Sequence, residues 1–253
     1  MTSVQDACQA REAGVPDIPQ PLYARLRDAL RARILDGQLA PGDQLPSESE
    51  LSAAHGVSRI TVRQALGDLQ KAGLIVRLQG KGAFVAPPHA TQQLQRLEGL
   101  AEALAGRGQS VHSKRLAFKP VKAGGDLALD LGVAAGTAVM QLLSLRYLDR
   151  TPLSLNTSHF APGLGERVAR VDLSGRDLLE VLERDLALPV RQARLDIRAV
   201  AMPAREARWL KVEPGVPALR VHRRVLGEGE VPLQTETALY PGDRFDYQLT
   251  LAR

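Results

Sequence analysis

A chain of 253 residues, 44% apolar and 4% aromatic, can bury one large core or two modest ones. Its net charge of +5 permits an anionic partner without requiring one. No run approaches the roughly 20 apolar residues of a membrane span, residues 1–20 lack the basic-then-apolar layout of a signal peptide, and Cys8 alone supports neither an intrachain disulfide nor a thiolate metal cage; a soluble, cytoplasmic protein without cofactor, metal or membrane partner is expected.

Residues 1–20 show no periodicity and carry Pro16 and Pro19, which predicts a flexible tail. From Pro21 onward Leu22, Leu26, Ala29, Leu30 and Ile34 recur at helical spacing until Gly37. After the Pro41-Gly42 turn, Ser47 stands three residues before Glu50, the spacing of a reciprocal N-terminal cap, so a short second helix runs from Ser47 to about Ala54. Gly56 can end it in a left-handed conformation and Ser58 can cap a third helix, which is helix-turn-helix spacing. In that third helix Val62, Ala65, Leu66 and Leu69 form the apolar stripe. Arg59, Thr61, Arg63, Gln64 and Gln70 lie off it. LIVRL and AFVA then read as two strands around QGKG, with Gly80 and Gly82 in the turn and Lys81 at its tip.

Taken singly, an arginine pair at i, i+4 is an ordinary solvated helix face and QGKG an ordinary hairpin, and the phosphate-loop pattern GxxxxGK[ST] is absent. The order of elements carries the inference: three helices with a tight turn, a basic polar face beside a helix N-terminus, then a hairpin, make a winged helix-turn-helix. ILDGQLAPGDQLPSESELSAAHGVSRITVRQALGDLQKAGLIVRLQGKGAFVA closely resembles the DNA-binding domain of the GntR family of bacterial transcription regulators, over about residues 21–86. That resemblance places Ser58, Arg59 and Arg63 on the helix that enters the major groove, where arginines donate to guanine edges, with Thr61 and Gln64 beside them. Gly80 and Lys81 fall in the wing. Ser49 stands where the family usually has an arginine, so it occupies a DNA-contacting position with a shorter side chain.

Residues 87–93, PPHATQQ, have no apolar period and read as a linker. In the remaining 94–253, Leu94, Leu97, Ala101 and Leu104 predict a helix. HSKRLAFKPV is extended, GGDLALDLGV is a short helix, and TAVMQLLSLRYLDRTPLSLNTSHF is a hairpin turning near Asp149–Pro152. A helix at RDLLEVLERDL, a strand at VRQARLDIRAVA, a helix at AREARWL and a hairpin at ALRVHRRVLGEGEVPLQTETALY complete the chain. Hairpins and short helices favour an α+β domain, an antiparallel sheet with flanking helices.

LGV-AGTAV, LRYLDRTPLSL and ETALYPGDRFDYQLTL are similar to the UTRA effector-binding domain of the HutC-type subfamily. The resemblance implies a chorismate-lyase-like fold and a small-molecule sensor. By strand alternation Ser144 and Arg146 share a face with Met140, Leu142 and Leu148, and a cation among apolar neighbours must reach solvent or hold an anion. By the resemblance Arg146 matches an arginine that grips an anionic effector, and Ser144 matches a position where a second arginine is frequent. Asn156, Ser158 and His159 correspond to the family's LERSY segment, and Glu236 and Tyr240 to further ligand contacts. The alternative for Arg146 is a surface residue paired with Asp149 or Glu236.

No GxSxG, no HExxH and no clustered acid/histidine set suggests catalysis or a metal site, so no catalytic residue is expected. A chorismate-lyase-like enzyme tethered to DNA and an effector-independent DNA binder are the alternatives. The expectation is a homodimeric repressor on a palindromic double-stranded operator, controlled by a small anionic effector.

Overall fold

The computed structural model describes residues 20–105 and 109–251; the tail expected over residues 1–20 lies, but for its last residue, outside them. The N-terminal unit follows its caps. Helix α1 (Leu22–Leu35) begins after Pro21, and α2 (Glu48–His55) begins at a complete capping box in which the Glu50 amide donates to Ser47 Oγ and the Ser47 amide to Glu50 Oε2. Gly56 ends α2 with φ of 62°, a conformation in which a Cβ is strained. Two residues on, the Ser58 side chain accepts from the Thr61 amide and starts α3 (Arg59–Lys71). Leu26, Leu30, Leu51, Val62, Leu66 and Leu69 close one core beneath the hairpin β1 (Ile75–Leu78) and β2 (Gly82–Val85). Each such fully buried side chain contributes about 1.5–3 kcal/mol.

The expected linker 87–93 is corrected from Ala90 onward. Residues Ala90–Gln93 form strand β3, parallel to the C-terminal strand β10 (Phe245–Gln248), with Ala90 fully buried. Its polar sequence hides it: the strand is held by backbone pairing to residues about 155 positions away and by side-chain bonds such as Thr91 to Asp246, not by an apolar alternation. The same pairing corrects the helix expected from Leu94. The Leu94 amide donates to the Gln248 carbonyl, so the backbone there remains extended. Helix α4 is only Leu100–Leu104, its Glu102 amide capped from afar by Asp177 Oδ2.

The other expected elements form, and they assemble into a six-stranded antiparallel sheet. Strands β4 (Val111–Lys122), β5 (Ala138–Leu148), β6 (Thr151–Phe160), β7 (Gln192–Ala201), β8 (Pro217–Leu226) and β9 (Pro232–Pro241) take the order β4-β5-β6-β9-β8-β7. Asp149, at φ of 52°, turns the β5–β6 hairpin where the sequence placed it. On one face lie α6 (Leu164–Val168) and α7 (Leu178–Glu180), the latter continuing as a π-helical turn over Val181–Asp185. On the other lie α5 (Gly125–Leu131) against Val139 and α8 (Ala204–Leu210) against Leu145, Leu155 and Ala218.

The face that carries α6 and α7 is not apolar throughout. Leu142, Phe160 and Val225 pack under those helices at one end. Leu148, Val221, Ala238 and Tyr240 pack with α4 and Phe245 at the other. Between the two clusters the sheet carries buried polar side chains.

Helix α6 approaches β5 so closely that a Cβ on Gly165 would overlap the Met140 side chain. Gly165→Ala is therefore expected to lower unfolding free energy by about 1–3 kcal/mol, read as a lower urea midpoint with an unchanged slope.

Candidate functional site

The helix-turn-helix presents its predicted residues on one exposed surface. Arg59, Arg63 and Gln64 on α3, Ser49 on α2, and Gly80 and Lys81 in the wing are all exposed, and Thr61 is half-buried. The Ser58 hydroxyl is committed to the cap of α3 and contacts Thr61 Oγ1 at 2.9 Å. Gly80 takes φ of 74°, and Gln44 fixes the wing tip by donating to the Lys81 carbonyl at 2.8 Å.

Three residues of this surface escaped the sequence reading. Glu48 Oε2 accepts from Arg63 Nε at 2.8 Å and Glu48 Oε1 from Arg77 Nη2 at 2.6 Å, so one carboxylate ties the recognition helix to the wing strand. The Arg63 hydrogen bond holds the Glu48 carboxyl below the usual carboxylate range. Exposed pairs of this kind contribute about 0–1 kcal/mol, so the contact is broken at little cost. Ile60 adds an apolar group, 77% exposed, next to Arg59.

In the larger domain the strand registers join residues that are distant in sequence. Arg146 stands opposite Ser154, Ser144 opposite Asn156, and Leu142 opposite Ser158, which faces Glu236, which in turn faces Arg223. Every polar member of this belt but Arg223 is buried, and Ser158, Asn156 and Ser154 are at most 1% exposed. Ser158 Oγ donates to Glu236 Oε2 at 2.9 Å, Arg223 Nη2 to Glu236 Oε1 at 3.1 Å, and Ser154 Oγ to Asn156 Oδ1 at 2.6 Å. Asn156 Nδ2 and Arg223 Nε have no hydrogen-bond partner among the described residues.

Arg146 is 8% exposed, yet among the described residues its guanidinium makes no hydrogen bond and no ion pair. The alternative of a surface residue paired with Asp149 or Glu236 is thereby corrected. Burial pulls its pKa down, and the fields of Tyr240, Glu236 and Asp177 more than restore it, so the group stays cationic. Burial pushes the Glu236 carboxyl up, while Arg223, Arg146 and the Ser158 hydroxyl outweigh that and hold it below the usual range.

Arg146, Ser144 and Glu236 floor a cavity of about 350 Å³ between the sheet and the segment 169–178 that joins α6 to α7. Arg115 and Arg170 also line it, and neither forms an ion pair among the described residues. Sequence reasoning missed both. Arg115 lies directly opposite Ser144 on β4, beside a bulge between Arg115 and Ala117, and no local pattern announces that register.

The other predicted effector residues divide. Asn156 and Ser158 lie behind the floor and brace it. Tyr240 is buried against Phe245, ring centroids 3.9 Å apart, and does not line the cavity. His159 is not brought to this site, because its odd position on β6 points it to the opposite face. There it meets Gln141 at 2.8 Å and lines a second cavity of about 360 Å³ with Asp130, Arg198, Arg220 and His222. No group of three or more metal-ligating side chains occurs among the described residues, and no helix among them is long and apolar enough to cross a membrane.

A winged helix-turn-helix joined to an α+β domain with a cation-lined cavity defines a ligand-responsive transcription regulator. The comparisons agree. The model of bacterial regulatory proteins of the gntR family matches residues 22–85, and that of the UTRA domain matches residues 106–246. The chain belongs to the GntR family, in its UTRA-bearing, HutC-like branch. It is 29% identical over 244 residues to the histidine utilization repressor of Pseudomonas aeruginosa, covering 96% of each chain, and 28% identical over 229 residues to the transcriptional repressor NagR of Bacillus subtilis, covering 90% and 94%. It is 32% identical over 260 residues to a transcriptional regulator of Mycobacterium tuberculosis, covering 100% and 94%. The crystal structure of PhnF from Mycobacterium smegmatis superimposes with a TM-score of 0.66 at 29% identity, covering 90% of this chain and 99% of that one.

The Glu236 pKa has a consequence for stability. A carboxyl depressed in the folded state stabilises above its unfolded pKa of about 4.3 and loses that contribution as pH falls through the lower folded value. Glu236→Gln is therefore expected to flatten the fall in urea midpoint between about pH 5 and pH 3, when both proteins are titrated in parallel.

Proposed function

We propose that the protein is a repressor whose hold on a palindromic operator is released by a small anionic metabolite bound between the sheet and segment 169–178. Residues 21–86 read DNA, and the chain from Ala90 onward senses the effector and holds two copies together. The observation that carries the sensing role is Arg146: a buried guanidinium with no hydrogen bond or ion pair among the described residues, facing a cavity beside Arg115 and Arg170. A buried charge is retained where it is neutralised in use. The relatives named as repressors for histidine utilization support the sense of regulation. The chemistry is recognition of a carboxylate or phosphate, with the Ser144 hydroxyl able to donate or accept and the Glu236 carboxylate able to accept from hydroxyl or amino groups of the same molecule.

On DNA, Arg59 and Arg63 donate to guanine edges, Gln64 and Ser49 contact neighbouring bases or phosphates, and Lys81 follows the backbone from the wing. Effector binding acts through the population of head orientations that fit the two half-sites. The family is one of transcription regulators, which supports a binding role for the cavity.

Two substitutions separate the roles. Arg63→Ala is expected to weaken operator binding roughly 5- to 150-fold in a mobility-shift titration while leaving effector affinity intact. Arg146→Ala is expected to abolish the thermal upshift caused by small carboxylates and organophosphates while leaving operator affinity intact. An Arg146→Ala protein that responds to ligand as the parent does would remove the effector assignment.

A further inference from the structure

The two faces of the six-stranded sheet carry cavities of similar size, and residues of alternate parity on the same strands line them. Glu236 of β9 floors the cavity beneath segment 169–178, whereas Thr235 and Thr237 line the other, which lies beside α5. The effector reading uses the first cavity and leaves the second without a role.

The second cavity has braced walls. His222 of β8 is held at both ring nitrogens: Nε2 lies 2.8 Å from Asp130 Oδ2, and Nδ1 lies 3.1 Å from Thr237 Oγ1. Asp130 is also approached by Arg224, Nη1 to Oδ1 at 3.6 Å, so its charge is answered. His159 is held by Gln141. Four further lining charges are not engaged: Arg198, Arg220, Asp126 and Asp196 form no hydrogen bond or ion pair among the described residues.

The free charges are sorted by sign. Arg198 of β7 stands directly opposite Arg220 of β8, a repulsive pair that an anion between them would relieve. Asp196 stands opposite His222 in the next row on the same face, and Asp126 faces the cavity from α5. Successive rows on one face of a strand lie about 6.5–7 Å apart, a step that a short-chain amino acid spans with its hydrogen bonds. Two cations and two anions cancel. A simple anion would leave the carboxylates facing it, and a simple cation would leave the guanidiniums.

We propose that this cavity binds a small zwitterion, its carboxylate between Arg198 and Arg220 and its ammonium group on Asp196 and Asp126. The site is distinct from the effector cavity and does not depend on that reading.

The test is a proton-NMR titration of the full chain that follows the imidazole protons of His159 and His222, assigned with His159→Gln and His222→Gln. Glycine, β-alanine and 4-aminobutyrate are the probes, with acetate, propionate and butyrate as matched anions. At least one zwitterion is expected to shift both imidazoles saturably and to bind about tenfold or more tightly than its matched anion. Arg220→Ala and Asp196→Asn, both at exposed positions, are each expected to raise that dissociation constant about tenfold, and Arg146→Ala to leave it within about twofold. No saturable shift with any of the three zwitterions overturns the site. A matched anion that binds as tightly as its zwitterion overturns the ligand class. An affinity untouched by both Arg220→Ala and Asp196→Asn, or lost only with Arg146→Ala, puts the ligand elsewhere and overturns the proposal. The effector assignment is tested separately, by the thermal shift of Arg146→Ala.

Discussion

A guanidinium taken out of water loses far more hydration than apolar packing can return, and the fields of nearby charged and polar groups must answer it. The α+β domain is organised around that constraint. Arg146 lies on β5 opposite Ser154, and Asn156, Ser158, Glu236 and Arg223 occupy the neighbouring rows of the sheet. Because these side chains cannot be covered by leucines, the apolar layer on that face splits into two clusters, one under α6 and α7 and one against α4 and β10. The gap between them is the cavity, so the site and the division of the core have one cause.

The belt also separates what is rigid from what is poised. Glu236 is held by Arg223 and Ser158, so one charge of the floor is fixed before any ligand arrives. Arg146, Arg115 and Arg170 are not held in this way, and their convergence concentrates positive potential where an anion would sit. The roof, residues 169–178, is braced locally by the Ser174 bonds to Asp172 and the Arg176 bonds to Asp185. A ligand that touched both floor and roof would therefore bear on α6 and α7, the elements packed over the sheet.

At the DNA end a comparable economy operates with solvent present. Glu48 holds Arg63 and Arg77 together through bonds that water screens. The carboxylate restrains the direction of two long side chains without committing them. The short wing, pinned by Gln44 at its tip, moves with the helices as one body because Val85, Ile75 and Leu74 share their core.

The helix-turn-helix was legible because everything that makes it is local. The Ser47–Glu50 box, Gly56, the Ser58 cap and the stripe from Val62 to Leu69 lie within a few residues of what they specify, and periodicity with caps is sufficient. Most strands were legible for the same reason, and alternation correctly put Ser144 and Arg146 on one face. What failed required knowledge of partners far away in sequence. Strand β3 is polar and exists because β10 pairs with it, helix α4 starts late because that pairing keeps Leu94 extended, and Arg115 enters the site because β4 bulges opposite Ser144. His159 was set with Asn156 and Ser158 by proximity in sequence, and the two-residue period of a strand sent it to the other face. The sequence by itself determined the local elements, the helix-turn-helix head and the face of β5 on which Arg146 lies. Only the tertiary structure decided which strands meet and in what register, because backbone pairing is indifferent to side-chain identity and is settled by the packing of the whole sheet.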